Sequence, residues 1–291
     1  MSLIDKVDSG KFIVLGEFEP PKGIDFSQML VNANQVKGRI DAFIVPEMAN
    51  AVMKASSLGG CIFLQIQGFE TVLQVSCRDR NRLALQADIL AAAALGTTNL
   101  MVVSGENITF GDHPTAKPVF DIDLFELLDV LKALRSGKDM AGIEIVGTPQ
   151  FFIGSNFNAG ASGENLDMEI ENLLGITDLG VNFVVTTPVF DLESFQKTLD
   201  RIDSEQLTVI PTVLLLKSAG MARYIDRNMD NITIPADMIN SIQKAPDKPR
   251  RCVQIAAELI NRIKDMGMPG VMISTVGWED KLPQILDEAK L

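Results

Sequence analysis

Short apolar runs rich in Val, Ile and Phe alternate along the whole chain with longer segments of helical period. The runs are KFIVLGEFE (11–19), DAFIVPE (41–47), TVLQVSC (71–77), NLMVVSG (99–105), QFFIGSN (150–156), NFVVTTP (182–188), TVIPTVLLL (208–216) and GVMISTV (270–276). Strands that are apolar at nearly every position are buried on both faces, as in a parallel sheet covered by helices. Between them, segments such as RNRLALQADILAAAALG (80–96) and DIDLFELLDVLKALRSG (121–137) carry apolar residues at helical spacing and end in glycine, a usual helix stop. About eight strand–helix units in 291 residues predict one closed (β/α)8 TIM barrel domain over 1–291. A doubly wound open sheet is the alternative, but no G-x-G-x-x-G turn follows the first strand. The pattern shows no linker or low-complexity tract. Two inter-strand segments are long, 104–121 and 216–250.

Composition narrows the partners. A net charge of −12 argues against nucleic acid and anionic membrane surfaces, and requires local cations wherever an anionic ligand is held. The single histidine, His113, rules out a multi-histidine metal site or a histidine relay. Cys61, Cys77 and Cys252 form no CxxC pair, which speaks against a zinc site or disulfide framework and for a cytoplasmic location. The first ten residues, MSLIDKVDSG, lack the basic and apolar regions of a signal peptide, and ADILAAAALG is too short to cross a bilayer.

In a barrel of this kind the chemistry sits where the strands end. Those ends supply Glu17 and Glu19; Pro46 and Glu47; Ser76, Cys77, Arg78 and Asp79; Ser104, Gly105 and Glu106; Ser155, Asn156 and Asn158; Thr186, Thr187 and Asp191; Lys217 and Ser218; and Thr275, Trp278 and Glu279. Acids dominate this set. Residues two apart on a strand share a face, so Ile13, Leu15, Glu17 and Glu19 point one way. If that face lines the lumen, two carboxylates meet at the cavity mouth. Mutual repulsion and burial then raise at least one of their pKa values, which makes a proton donor near neutral pH. Pro20 and Pro21 stop the strand and stiffen its exit. In the simpler alternative, Glu19 pairs with Lys22 at the rim.

The blocks GEFEPPKG, SCRDRNRLALQADILAAAALG, VSGENITFGDHPTAKPVFDID, TTPVFDLESF, LLLKSAGMARYI, IPADMINSIQKAPD and GVMISTVGWEDKLPQIL together resemble the methylenetetrahydrofolate reductases, especially their short bacterial form in acetogens. The resemblance implies a (β/α)8 barrel with FAD or FMN and a tetrahydrofolate derivative stacked at the C-terminal face. It implies reduction of methylenetetrahydrofolate to methyltetrahydrofolate, with Glu17 as the acid that assists opening of the folate's five-membered ring. Glu19, Glu106, Thr187, Lys217 and Arg223 become candidate substrate contacts, the two cations for the folate's anionic tail. Gln74, Ser104, Gly105, Glu106, Asp112, His113 and Asn156 become candidate cofactor contacts. The chain departs from the family pattern at several of these positions. Gln74 stands where the family has histidine, Gly105-Glu106 replaces GD, Thr186-Thr187 replaces TQ, and a flavin-facing lysine falls on or near Ile176. Weak flavin binding is the resulting expectation.

Simpler roles are expected for other residues. Arg78 to Asn81 read as a helix start with ion pairs, Asp79 as its cap; Met48, Met53, Met101, Met221 and Met272 as core filler; Trp278 as packing at the barrel end. Two further functions stay open: a flavin-free folate protein transferring a one-carbon group or taking hydride from a nicotinamide, and a non-catalytic subunit of an electron-transfer complex. Without an NADH-specific domain, the chain suits a reductase served by an electron-donor partner protein, and a homo-oligomer is possible.

Overall fold

The computed structural model describes residues 2–202 and 207–291. Eight parallel strands close into a barrel in sequence order: β1 (Ile13–Glu17), β2 (Ala42–Val45), β3 (Thr71–Ser76), β4 (Asn99–Val103), β5 (Phe152–Phe157), β6 (Phe183–Pro188), β7 (Thr208–Leu214) and β8 (Gly270–Ser274). Each strand falls within an expected apolar run, apart from Phe157 one residue beyond the fifth. Most runs extend past the ladder into flanking loop residues.

Helices α1 (Leu3–Asp8), α2 (Ser27–Gln35), α3 (Ser57–Ile66), α4 (Arg82–Ala94), α5 (Leu124–Arg135), α6 (Glu164–Asp178) and α7 (Leu192–Leu199) occupy the first part of the chain. Helices α8 (Ala219–Asn228), α9 (Ala236–Lys244), α10 (Lys248–Asp265) and α11 (Leu282–Ala289) complete it. The long segment 216–250 is therefore largely helical. No helix among the described residues is long and apolar enough to span a membrane. Starts are set by side-chain caps. Asn81, rather than Asp79, caps α4 by accepting the Ala84 N–H, and Asp123 with Glu126 forms a capping box on α5.

Strand parity divides the core in two. Ile13, Leu15, Ile44, Val72, Met101, Phe152, Phe183, Val185, Ile210 and Met272 fill the lumen, and Leu3 of α1 belongs to the same cluster. The alternate residues, such as Val14, Phe43, Leu73, Val75, Val184 and Val213, pack outward against the helices. The core-filler reading holds for Met101 and Met272; Met53 is instead exposed, and Met48 sits in a left-handed turn at the end of β2 (φ 47°).

Candidate active site

Parity carries Glu17 to the open end of the lumen, after Ile13 and Leu15. The β1–β8 register pairs Gly16 with Ile273, so Ser274 stands beside Glu17 and its hydroxyl donates to Glu17 Oε1 at 2.8 Å. Burial pushes the Glu17 carboxyl above its ordinary value. Ser274 and Lys54 oppose that rise, while the charges of Glu279 and Glu106 reinforce it. The like charge expected from Glu19 is engaged elsewhere: Glu19 pairs with Lys54, not with Lys22.

Glu17 opens onto a cavity of about 280 Å³, whose walls include Glu47, Gln74, Arg78, Ser104, Gly105, Glu106 and Asn156. Gln74 shares the inward face of β3, and its Oε1 accepts the Glu47 N–H at 2.8 Å. Glu47 is 5% exposed; its Oε2 accepts the Ser57 N–H at 2.9 Å and lies 3.6 Å from Arg80 Nη2. Burial pushes this carboxyl up as well, against the pull of Arg80. Arg78 is 2% exposed and grips Asp79 with two hydrogen bonds of 2.7 and 2.8 Å. Its remaining donors reach the Glu106 and Met48 carbonyls at 3.4 Å, which ties the loops after β2, β3 and β4 together. At Gly105 (φ +96°) a Cβ would run into Ser76 and Arg78, so only glycine passes there. Burial pushes the Cys77 thiol up to about 11, which keeps it protonated and unsuited to nucleophilic work.

The structure thus brings together Glu17, Gln74, Ser104, Gly105, Glu106 and Asn156. Thr187 does not line this cavity. A register shift between Val185 and Pro188 breaks the parity of β6, and the Thr187 hydroxyl turns toward Asn158 at 3.5 Å. Asp112 braces loops rather than facing the cavity: it accepts from the Met53 N–H at 2.9 Å, from His113, and from Lys22. His113 itself is largely exposed. Lys217 bonds the Val276 carbonyl and lies over Trp278, 5.4 Å from the ring centroid. Arg223 turns to Gln243 on α9 at 2.9 Å, along the outer helices. Sequence reasoning passed over Lys54, undervalued Arg78 and named Glu47 only as a strand-end residue. Their ionisable character at strand exits was the available signal.

A second chamber of about 400 Å³ adjoins the first at Ser104 and Asn156 and runs between α5 and α6. Its polar walls are Asp123, Asn158, Glu169 and Asn172, with Phe125 and Ile176 on the apolar side. A flavin nucleotide brings a phosphate or diphosphate that needs cations or free N–H groups. Arg78, clamped on Asp79, is the one cation among the described residues lining the two chambers. Nearby Lys22, Lys54 and Arg82 are each paired with a carboxylate. Among the described residues, neither chamber therefore offers a side-chain cation that is not already paired for that phosphate.

Comparisons with known proteins bear on the chemistry. The family model described as methylenetetrahydrofolate reductase matches residues 2–290. A Caenorhabditis elegans protein described as "Probable methylenetetrahydrofolate reductase (NADPH)" is 22% identical over 260 residues, spanning 83% of this chain and 35% of that protein. The chain therefore spans about a third of that relative's length. The solved structure "F420-dependent secondary alcohol dehydrogenase in complex with an F420-acetone adduct" superposes with a TM-score of 0.55 at 10% identity, covering 96% of this chain and 99% of that one. At that identity the likeness concerns the fold alone. With a barrel closed as the sequence pattern requires, and a family match running almost from end to end, the chain belongs to the methylenetetrahydrofolate reductase family.

Proposed function

We propose that the protein reduces methylenetetrahydrofolate to methyltetrahydrofolate at the mouth of the barrel, with Glu17 as the acid. The observation that carries this reading is the half-buried, Ser274-held carboxyl of Glu17 facing a cavity lined by Glu47, Gln74, Glu106 and Asn156. Opening the folate's five-membered ring requires its aniline nitrogen to leave as an amine. A proton delivered to that nitrogen assists the departure, and the iminium carbon left behind accepts a hydride. Glu106 and Glu47 carry carboxylates of the kind that recognise a pterin's ring N–H groups, and Gln74 and Asn156 supply amides.

The hydride then comes from a donor that reaches the mouth, such as a nicotinamide or a carrier on an electron-donor protein. What favours this over a resident flavin is the paired state of the surrounding cations. Two measurements test the proposal. Incubation with methylenetetrahydrofolate and either NADH, NADPH or a reduced low-potential dye is expected to yield methyltetrahydrofolate with at least one donor, only when protein is present. The absence of folate binding by calorimetry, together with the absence of product with every donor, would overturn it. Reconstitution with FAD or FMN followed by desalting is expected to leave no flavin absorbance on the protein; stoichiometric retention would restore a flavin-based mechanism.

A further inference from the structure

Gln74 is locked in place by a closed ring of hydrogen bonds. Its N–H donates to Ser57 Oγ at 3.2 Å, the Ser57 N–H donates to Glu47 Oε2 at 2.9 Å, and the Glu47 N–H donates to Gln74 Oε1 at 2.8 Å. Each side chain thus accepts the backbone N–H of the next, and none can turn without unpairing another. Ser57, the first residue of α3, is fully buried, and its hydroxyl also donates to the Val45 carbonyl at the end of β2. The ring decides which way the Gln74 amide faces. A backbone N–H can be met only by the amide oxygen, so Nε2 takes the other side. Among the described residues Nε2 donates to no protein group, yet it is not one of the side-chain atoms sealed from solvent without a partner. Gln74 follows the lumen residue Val72 by two positions and lines the cavity at Glu17, so the space that Nε2 meets is that cavity.

We propose that Gln74 sets the ring specificity of the pocket: its Nε2 donates to the lactam oxygen at position 4 of a bound pterin, so a 4-oxo ring is accepted and a 4-amino ring is refused. This rests on the reading of the cavity as the methylenetetrahydrofolate site. Arg78, the strongest donor on the cavity wall, is spent on Asp79 and on the Glu106 and Met48 carbonyls. The carboxylate of Glu106 can only accept, which suits the ring N–H groups. Gln74 therefore supplies the directed donor that the ring carbonyl needs. A 4-amino ring turns its own donor toward Nε2, and two donors face each other with neither satisfied.

Two substitutions separate this role from wall-filling. Gln74→Glu keeps an oxygen for the Glu47 N–H, so the ring of hydrogen bonds survives, and it puts an acceptor where the Nε2 donor stood. Gln74→Met keeps the length of the side chain and offers neither donor nor acceptor. The probes are tetrahydrofolate and tetrahydroaminopterin, its 4-amino counterpart, titrated by calorimetry at mildly alkaline pH, which keeps the introduced carboxyl ionised. The unsubstituted protein should bind the 4-oxo ligand more tightly by about 5–150-fold, the range for a buried donor left without an acceptor.

In Gln74→Glu that ratio should fall by about tenfold or more, to equality or past it, because the 4-amino group now meets an acceptor. In Gln74→Met it should fall to a value between the two, through weaker binding of the 4-oxo ligand. The readout is a ratio within each protein, so a general loosening of the pocket cancels from it. If both ligands weaken in parallel and the ratio stays where it was, Gln74 only shapes the wall and the proposal is wrong. An unsubstituted protein that binds the two ligands equally overturns it as well. Absence of tetrahydrofolate binding to the unsubstituted protein would overturn the folate reading and this proposal with it, whereas binding with an unmoved ratio overturns this proposal alone.

Discussion

Glu17→Gln should lower methylenetetrahydrofolate turnover by about 10²–10⁴-fold while folate binding largely survives. That loss corresponds to about 3–5 kcal/mol of transition-state stabilisation. The amide keeps the size of the side chain and can still accept the Ser274 hydroxyl, so the cavity should retain its shape. What it lacks is the transferable proton. The direction of the pH dependence follows from burial. The Glu17 carboxyl ionises above the ordinary carboxylate range, so the competent protonated form persists further up the pH scale than an exposed glutamate would allow. Turnover should fall as pH rises through that raised value, and the limb should vanish in Glu17→Gln. Steady-state rates across pH, together with folate affinity by calorimetry, check both parts. Unchanged turnover in Glu17→Gln would remove the acid from the mechanism. A fall in affinity as large as the fall in rate would recast Glu17 as a binding group.

Phe183→Ala should cost about 3–5 kcal/mol of folding stability. Phe183 is fully buried in the lumen and stacks on Phe152, with ring centroids 5.2 Å apart and 23° between planes. Its ring occupies the space that Gly154 leaves open, and a Cβ at Gly154 would strike it. The surrounding wall consists of strands held in register on both sides, so the void cannot close by local collapse. A loss of that size takes a large part of the roughly 5–15 kcal/mol that holds a typical domain folded. Denaturant unfolding read by circular dichroism measures it. Gly154→Ala, the complementary overpacking change, should cost about 1–3 kcal/mol. A Phe183→Ala midpoint close to that of the unsubstituted protein would mean that the lumen repacks freely, contrary to the rigid barrel described here.

The eight strands were legible because a strand buried on both faces must be apolar at nearly every position, and that requirement is local. The inward direction of Glu17 was legible for the same reason: parity along five residues of backbone decides it. Parity failed at Thr187, where the register shift in β6 comes from the ladder with β7 and the Thr186–Thr212 hydrogen bonds, not from the sequence of β6 alone.

The charge pattern of the mouth was not legible at all. Ser274 meets Glu17 across 257 residues and Lys22 meets Asp112 across 90, and both pairings exist only because the barrel closes and its loops converge. Glu19 had Lys22 three residues away in sequence, yet its partner is Lys54, because Asp112 engages Lys22 while the anchored loop after β2 carries Lys54 to the rim. The sequence determined by itself that an acid would stand at the open end of a parallel barrel, since backbone geometry repeats every two residues. Which charges surround that acid, and so when it holds its proton, was decided only by the tertiary structure, because electrostatic effects depend on distances between loops that no local pattern encodes.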